Sequence, residues 1–133
     1  MRERKYRAWD IKEKKWISGG LAIDLGDNTL YWTEFGEMME EAKDVILIDY
    51  IGRKDKNNKE IYKGDIVKYD LYEVERFPPR IGFIEWDNYY LRLAINDQRG
   101  NYIELRGDLW IEIIGNIYEN PELLEKEDKN HKS

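Results

Sequence analysis

The side chains that usually act as nucleophiles and bases are scarce in this chain of 133 residues. It contains no Cys, its serines are Ser18 and Ser133, and its single His is His131. A Ser-His-Asp relay needs an imidazole held beside the hydroxyl, and zinc sites draw on Cys and His. We therefore expect neither a nucleophilic triad nor a His-based metal site. Disulfides, thiolate metal sites and Cys nucleophiles are excluded.

Carboxylates are the remaining candidates for chemistry. Asp10, Asp65 and Asp87 each lie at a predicted junction of strand and turn, beside Trp or Gly. They could form a paired-acid hydrolase or a site for a hard cation. Alternatively, each could accept hydrogen bonds from the amides of its own turn. No Asp-x-Asp-x-Asp spacing occurs, so we favour the turn role and predict no catalytic residues, no metal and no cofactor.

Glycine placement gives a similar result. The chain has no glycine-rich loop of the kind that cradles phosphate. Gly64 precedes Asp65 at the entry to a predicted strand, and Gly82 lies in a later strand. We expect Gly64 to permit a bend or a bulge where the strand direction changes.

The charge balance argues against general binding of duplex DNA. Acidic residues number 28 and basic residues 22, for a formal net charge of −6, whereas affinity for DNA comes mostly from cationic contacts to phosphate. A basic cluster at the start could form a phosphate-contacting arm, but acids are interspersed with it, which favours a solvated hairpin. The cluster consists of Arg2, Arg4, Lys5 and Arg7, followed by Lys12, Lys14 and Lys15.

Aromatic residues are abundant, with five Trp and ten Tyr. They could form a stacking face for single-stranded nucleic acid, interleaved with Lys and Arg. They could also be core and subunit-interface residues, since Trp and Tyr are enriched at interfaces, and we favour this second interpretation. The set comprises Tyr6, Trp9, Trp16, Tyr31, Trp32, Trp86, Tyr89, Tyr90 and Trp110.

The hydrophobic pattern predicts an all-β fold, mainly β with one or two short helices. About nine short strands, with turn signals every eight to twelve residues, are typical of a sandwich or a small barrel. Residues 45–50 form an apolar run that predicts a strand buried on both faces. Residues 34–43 predict a short helix, residues 70–80 a loop, and residues 89–95 a strand.

Two further predictions concern local turns. Asn57 and Asn58 predict a hairpin turn, because Asn tolerates the positive φ that tight turns need. Asn120-Pro121-Glu122 predicts the start of a second short helix, with Asn120 as its N-cap.

The length fits one domain, which we place at residues 1–125, with a charged tail at 126–133. Within it we expect an N-terminal hairpin lobe at 1–44 and a barrel-like core at 45–120. No apolar run approaches the roughly 20 residues that a membrane helix needs, and no signal-peptide core follows the N-terminus. We expect a soluble protein of the cytoplasm.

Four segments, in the same order, resemble the YopX family, which phages and prophages encode. They are residues 5–10 (KYRAWD), 50–67 (YIGRKDKNNKEIYKGDIV), 82–86 (GFIEW) and 114–124 (IGNIYENPELL). The matching positions are Arg7, Trp9, Asp10, Tyr50, Gly52, Asp55, Gly64, Asp65, Trp86, Gly115, Asn116, Asn120 and Pro121. Two positions depart from the pattern: Arg53 replaces an apolar residue, and Asn58 replaces the usual turn Gly.

This resemblance implies a phage or prophage origin in Gram-positive bacteria. It also implies a complex all-β fold that contains an SH3-like barrel, and self-association. It implies no catalytic residues, so we expect the thirteen matching positions to be structural.

On function, we expect a non-enzymatic phage accessory protein that forms a homo-oligomer and binds a host or phage protein. The acidic cluster Glu37, Glu40 and Glu41 would then contact a basic partner. The alternative is a nucleic-acid-binding module that uses the SH3-like barrel. The strands at 64–67 and 82–84 resemble the first pair of such barrels, which is an analogy of fold only.

Overall fold

The computed structural model describes residues 6–24, 26–27, 29–35, 37–71, 80–107 and 109–124. Within these residues the chain forms twelve strands and a single helical turn at 122–124. The all-β expectation is confirmed, although the expected count of about nine strands is too low. The strands are β1 (Tyr6–Asp10), β2 (Lys15–Ile17), β3 (Leu21–Asp24), β4 (Thr29–Glu34), β5 (Glu37–Glu41), β6 (Val45–Lys54), β7 (Glu60–Tyr62), β8 (Asp65–Leu71), β9 (Arg80–Asp87), β10 (Arg92–Asn96), β11 (Tyr102–Ile103) and β12 (Leu109–Asn116).

The chain divides into two compact units, Met1–Ile48 and Asp49–Ser133. The division falls inside β6, so this long strand contributes residues to both units. It lies four residues beyond the end of the hairpin lobe expected at residue 44.

Unit 1 contains two antiparallel arrangements. β1 pairs with β2, with Trp9 opposite Trp16, and lies between β2 and β6. β3, β4 and β5 form a three-stranded sheet in that order. A small core is built on Ala8, Ala42 and Val45, with partly buried Ile17, Leu21, Leu30, Trp32 and Leu47 packed against it.

Unit 2 is built on a five-stranded antiparallel sheet in the order β11-β10-β9-β8-β12, curled into a half-barrel. β7 pairs with the second half of β6, where Tyr50 faces Tyr62. Since alternate residues of a strand face the same side, the inward positions of β7, β8, β9, β10 and β12 supply the core. Its buried members are Ile61, Val67, Tyr69, Ile84, Ile95, Leu109 and Ile111.

The prediction of a helix at residues 34–43 is wrong, since Glu37–Glu41 is strand β5. A helix of ten residues is marginal in water unless an apolar face packs against the protein, and the five β5 side chains are all exposed. Pairing with β4 instead gives the backbone its hydrogen bonds. The reversal between the two strands includes Phe35 at a positive φ of 52°.

The strand predicted at residues 89–95 starts too early, because β10 begins at Arg92. Residues 88–91 form the turn after β9. The carboxylate of Asp87 accepts hydrogen bonds from the amides of Tyr89 and Tyr90, and Leu91 has a φ of 54°. Local hydrogen bonding of this kind competes with a sheet ladder.

The other local predictions have mixed outcomes. Asn58 has a φ of 65°, which confirms the turn prediction. Of the loop predicted at 70–80, Asp70 and Leu71 end β8 and Arg80 begins β9. Residues 72–79 lie outside the described part of the chain, as does the predicted tail at 126–133.

Candidate functional site

All three carboxylates considered for catalysis hold turns, as predicted. Asp10 Oδ1 accepts hydrogen bonds from the amides of Lys12 and Glu13 at 3.0 and 2.9 Å. Asp87 Oδ1 accepts bonds from the amides of Tyr89 and Tyr90 at 2.9 and 3.4 Å. Both carboxylates are buried, and buried polar groups need such partners.

Asp65 holds a turn in the same way. Its Oδ2 accepts a hydrogen bond from the amide of Tyr62 at 2.8 Å, and the residue is only 2% exposed. Asp10 belongs to unit 1, whereas Asp65 and Asp87 belong to unit 2. Within the described part of the chain, no three His, Cys, Asp or Glu residues are grouped so that they could hold a metal ion.

Asp55 has a role that its position in the sequence did not reveal. Its Oδ1 accepts hydrogen bonds from the amides of Asn57 and Lys59, both at 2.9 Å. Its Oδ2 accepts a hydrogen bond of 3.0 Å from the amide of Ile113, which lies 58 positions away in the sequence. The carboxylate therefore closes the β6–β7 turn and ties it to β12.

The glycine and asparagine positions of the family pattern have steric and hydrogen-bonding roles. Gly64 has a φ of +91°, and a Cβ there would lie 2.8 Å from Cε2 of Tyr118. A Cβ on Gly115 would lie 2.6 Å from Oδ1 of Asn120. Asn116 Oδ1 accepts the amides of Tyr118 and Glu119. Asn120 Oδ1 accepts a hydrogen bond from the amide of Asn116 at 3.2 Å. This bond therefore goes to a residue before Asn120, and not to the helical turn that follows it.

Three other matching positions, Arg7, Trp9 and Tyr50, lie against aromatic rings. Trp9 is buried and meets Trp16 edge-on at 4.7 Å between ring centroids, with the guanidinium of Arg7 4.3 Å from the Trp16 ring centroid. Tyr50 packs near Tyr62. Gly52 lies in β6 with a φ of +86°. Trp86, near the end of β9, and Pro121, before the helical turn, are both exposed.

The nine aromatic residues considered as a stacking face are divided between the two units. Trp9 is buried, and Trp16, Tyr31, Trp32 and Trp110 are half-buried. The exposed members are Tyr6, Trp86, Tyr89 and Tyr90. Packing thus accounts for more than half of the set, in agreement with a core role for those residues.

The turn between β9 and β10 exposes a small apolar group. Tyr89, Tyr90 and Leu91 are 83%, 64% and 71% exposed. The two rings meet edge-on at 4.7 Å, and the guanidinium of Arg92 lies 4.7 Å from the ring centroid of Tyr90. Arg92 also lies 3.8 Å from Asp87 and 3.5 Å from Glu104, so its charge is locally balanced.

The larger exposed feature is in unit 1, and we call it the acidic ribbon: Glu34, Phe35 and residues 37–41. Phe35 is 98% exposed, and Met38 and Met39 are 54% and 57% exposed. Exposed carboxylates of Glu34, Glu37, Glu40 and Glu41 flank them. The predicted helix concealed this feature, although the two methionines among acids are visible in the sequence.

A cavity of about 610 Å³ lies in unit 1 where the ribbon ends. Its wall carries more carboxylates than ammonium groups, with one indole ring. The lining residues are Asp10, Lys12, Glu13, Trp32, Glu40, Glu41, Lys43 and Asp44.

The pKa of a neighbouring phenol reports the same negative field. Burial raises the pKa of Tyr31, and the charges of Asp27, Asp24 and Glu41 raise it further. Tyr31 pairs with Glu41 across the β4–β5 ladder. The ribbon therefore combines exposed apolar side chains with a negative potential.

The fold and these features together define an all-β protein with two compact units. The model of the YopX protein family matches residues 5–125, so the chain belongs to the YopX family. The comparison with curated proteins finds no match. The chain contains no helix, in its described part, that is long and apolar enough to span a bilayer.

Two solved structures have the same fold. Protein EF1440 from Enterococcus faecalis is 26% identical, with a TM-score of 0.57, and the match covers 92% of this chain and 98% of that one. Protein yopX from Bacillus subtilis is 21% identical, with a TM-score of 0.57 and the same coverage of both chains.

Proposed function

We propose that this protein is a non-enzymatic interaction protein of phage or prophage origin, whose acidic ribbon binds a basic protein of the host or the phage in the cytoplasm. The observation that carries the proposal is the exposure of Phe35, Met38 and Met39 among four carboxylates. Exposed apolar groups rimmed by charge often mark interaction sites. Met side chains also adapt to different partner surfaces.

The charge of the ribbon indicates the kind of partner. Complementary charge speeds encounter and excludes like-charged molecules, so Glu37, Glu40 and Glu41 select for Lys and Arg. The same carboxylates repel nucleic acid. Self-association, which the family resemblance implies, would present several ribbons to one partner and so raise the effective affinity.

Capture from host lysate tests the proposal. We compare the tagged wild-type protein with the double variant Glu37→Gln/Glu40→Gln, at low and at raised salt. The variant Glu104→Gln/Glu122→Gln is the matched control, because it removes the same charge from exposed positions of unit 2. Light scattering of each protein gives the subunit number.

We expect a stoichiometric basic protein that the wild type and the control capture, and that the ribbon variant captures several-fold less. Raised salt should reduce the recovery as well. Recovery that is indifferent to the ribbon charges and to salt would show the proposal to be wrong. Nuclease-sensitive nucleic acid in the captured material would instead favour a nucleic-acid-binding module.

A further inference from the structure

Strand β5 forms one edge of its sheet. The three-stranded sheet has the order β3-β4-β5, so β4 is the neighbour of β5 within the described part of the chain. Apart from that ladder, residues 37–41 make no backbone hydrogen bond with the rest of the described chain. An edge of this kind leaves a row of N–H and C=O groups that another strand can join.

The side chains of β5 do not cover this edge. All five are exposed, and the strand contains neither Pro nor Lys. Its three acids and the irregular register opposite Tyr31 and Thr33 restrict which segments can pair with this edge. Met38 and Met39 would supply apolar contacts on an added strand, as cross-strand pairs do within a sheet.

The acids decide what can be added. A second copy of β5 in antiparallel pairing would bring carboxylates opposite carboxylates, which is destabilising. A strand with Lys or Arg at alternate positions would instead place opposite charges across from the acids of one face of β5, since the neighbours Glu40 and Glu41 point to opposite faces. The edge therefore disfavours pairing with itself and favours a basic segment.

We propose that the ribbon binds its partner by strand addition: an extended segment of a partner protein, with Lys or Arg alternating with apolar residues, pairs with the free edge of β5. This inference rests on the proposed function and specifies how that surface is used. Main-chain hydrogen bonds would supply affinity, and the pairing of side chains would supply specificity.

Peptide binding and hydrogen exchange on the full chain test the proposal. The probes are a panel of nine-residue peptides in which Lys alternates with Val or Ile. Each has two matched controls, one with Glu in place of Lys and one N-methylated at alternate residues along one edge. The N-methylated peptide keeps the charges but loses main-chain donors.

We expect at least one Lys peptide to bind and to slow amide exchange at residues 37–41 at least tenfold. The Glu peptides should not bind, and N-methylation should weaken binding at least tenfold. The variant Met38→Thr/Met39→Thr keeps residues that suit a strand and should weaken binding several-fold.

Two other results would overturn strand addition. One is binding of Lys peptides with no slowing of exchange at residues 37–41, which would leave the acidic ribbon as a side-chain surface and the proposed function intact. The other is failure of every Lys peptide to bind. In that case capture from lysate, with its ribbon variant, decides separately whether the proposed function also fails.

Discussion

At the scale of single residues, the buried carboxylates of this protein accept hydrogen bonds from backbone amides. Asp55 accepts three, one of them from β12. Asp10 and Asp87 each accept two from the turn that follows them. An unsatisfied buried donor costs about 1–3 kcal/mol, so these residues stabilise the turns without any need for a chemical role.

Gly64 gives a steric prediction. Gly64→Ala should lower the free energy of unfolding by about 1–3 kcal/mol, the usual cost of a residue held in a sparsely populated backbone conformation. Its φ is +91°, and the new Cβ would meet the Tyr118 ring at 2.8 Å. Urea denaturation measures the change. Gly107→Ala is the control, since no atom lies within 4 Å of the Cβ position there, and an equal loss in both variants would contradict the prediction.

Asp97 gives a prediction on pH. Burial alone would raise the pKa of Asp97. Hydrogen bonds from the Arg99 amide and from Asn101, together with the charge of Arg99, outweigh this effect and lower the pKa below its ordinary value of 3.8. A carboxyl whose pKa is lower in the folded state stabilises the protein above its unfolded pKa. This stability is lost as the pH falls through the folded pKa.

Asp97→Asn should therefore be less stable than the wild type at pH 7, and the difference should shrink below about pH 4. Urea denaturation between pH 3 and pH 7 measures it, with Glu122→Gln, at an exposed position, as the control. A difference that stays constant over this range would show that the ionised carboxylate is not the cause.

At the scale of elements, Arg53 links β6 to the segment before β12. Its guanidinium donates to the carbonyls of Arg106 and Leu109 at 2.6 and 2.5 Å. The planar fork of Arg can reach two acceptors at once, which an ammonium group cannot do in the same geometry.

Arg53→Met should lower the free energy of unfolding by about 1–2 kcal/mol, because two carbonyls lose charged donors at a half-buried position. Arg53→Lys should recover less than half of the loss. Thermal and urea denaturation measure both variants. Lys54→Met, at the exposed neighbouring position, should change stability little; if it matches Arg53→Met, the two hydrogen bonds are not responsible.

The elements that sequence could predict are those fixed by local signals. The apolar run at 45–50 predicted part of β6, and the turn chemistry of Asp10, Asp65, Asp87 and Asn58 was predicted correctly. β5 was not predictable in this way, because its conformation depends on pairing with β4 and its composition also suits a helix. The contacts of Asp55 and Arg53 with residues more than fifty positions away depend on the assembled sheet, so no local pattern reports them.

At the scale of the whole molecule, the net charge of −6 and the local charge of the ribbon would make separable contributions to the binding that we propose. We compare two double variants, Glu37→Lys/Glu40→Lys and Glu104→Lys/Glu122→Lys. Each replaces two negative charges with two positive charges, so both variants have a formal net charge of −2. Any effect of net charge alone must be equal in the two. The acidic ribbon is altered only in the first.

We expect the association rate of a Lys-containing peptide from the panel to fall at least tenfold in the ribbon variant and less than threefold in the other. Stopped-flow Trp fluorescence measures both rates. Near 1 M salt the screening length is only about 3 Å, so the two variants and the wild type should converge. Equal rates for the two variants at low salt would mean that net charge, and not the ribbon, steers a basic partner to this protein.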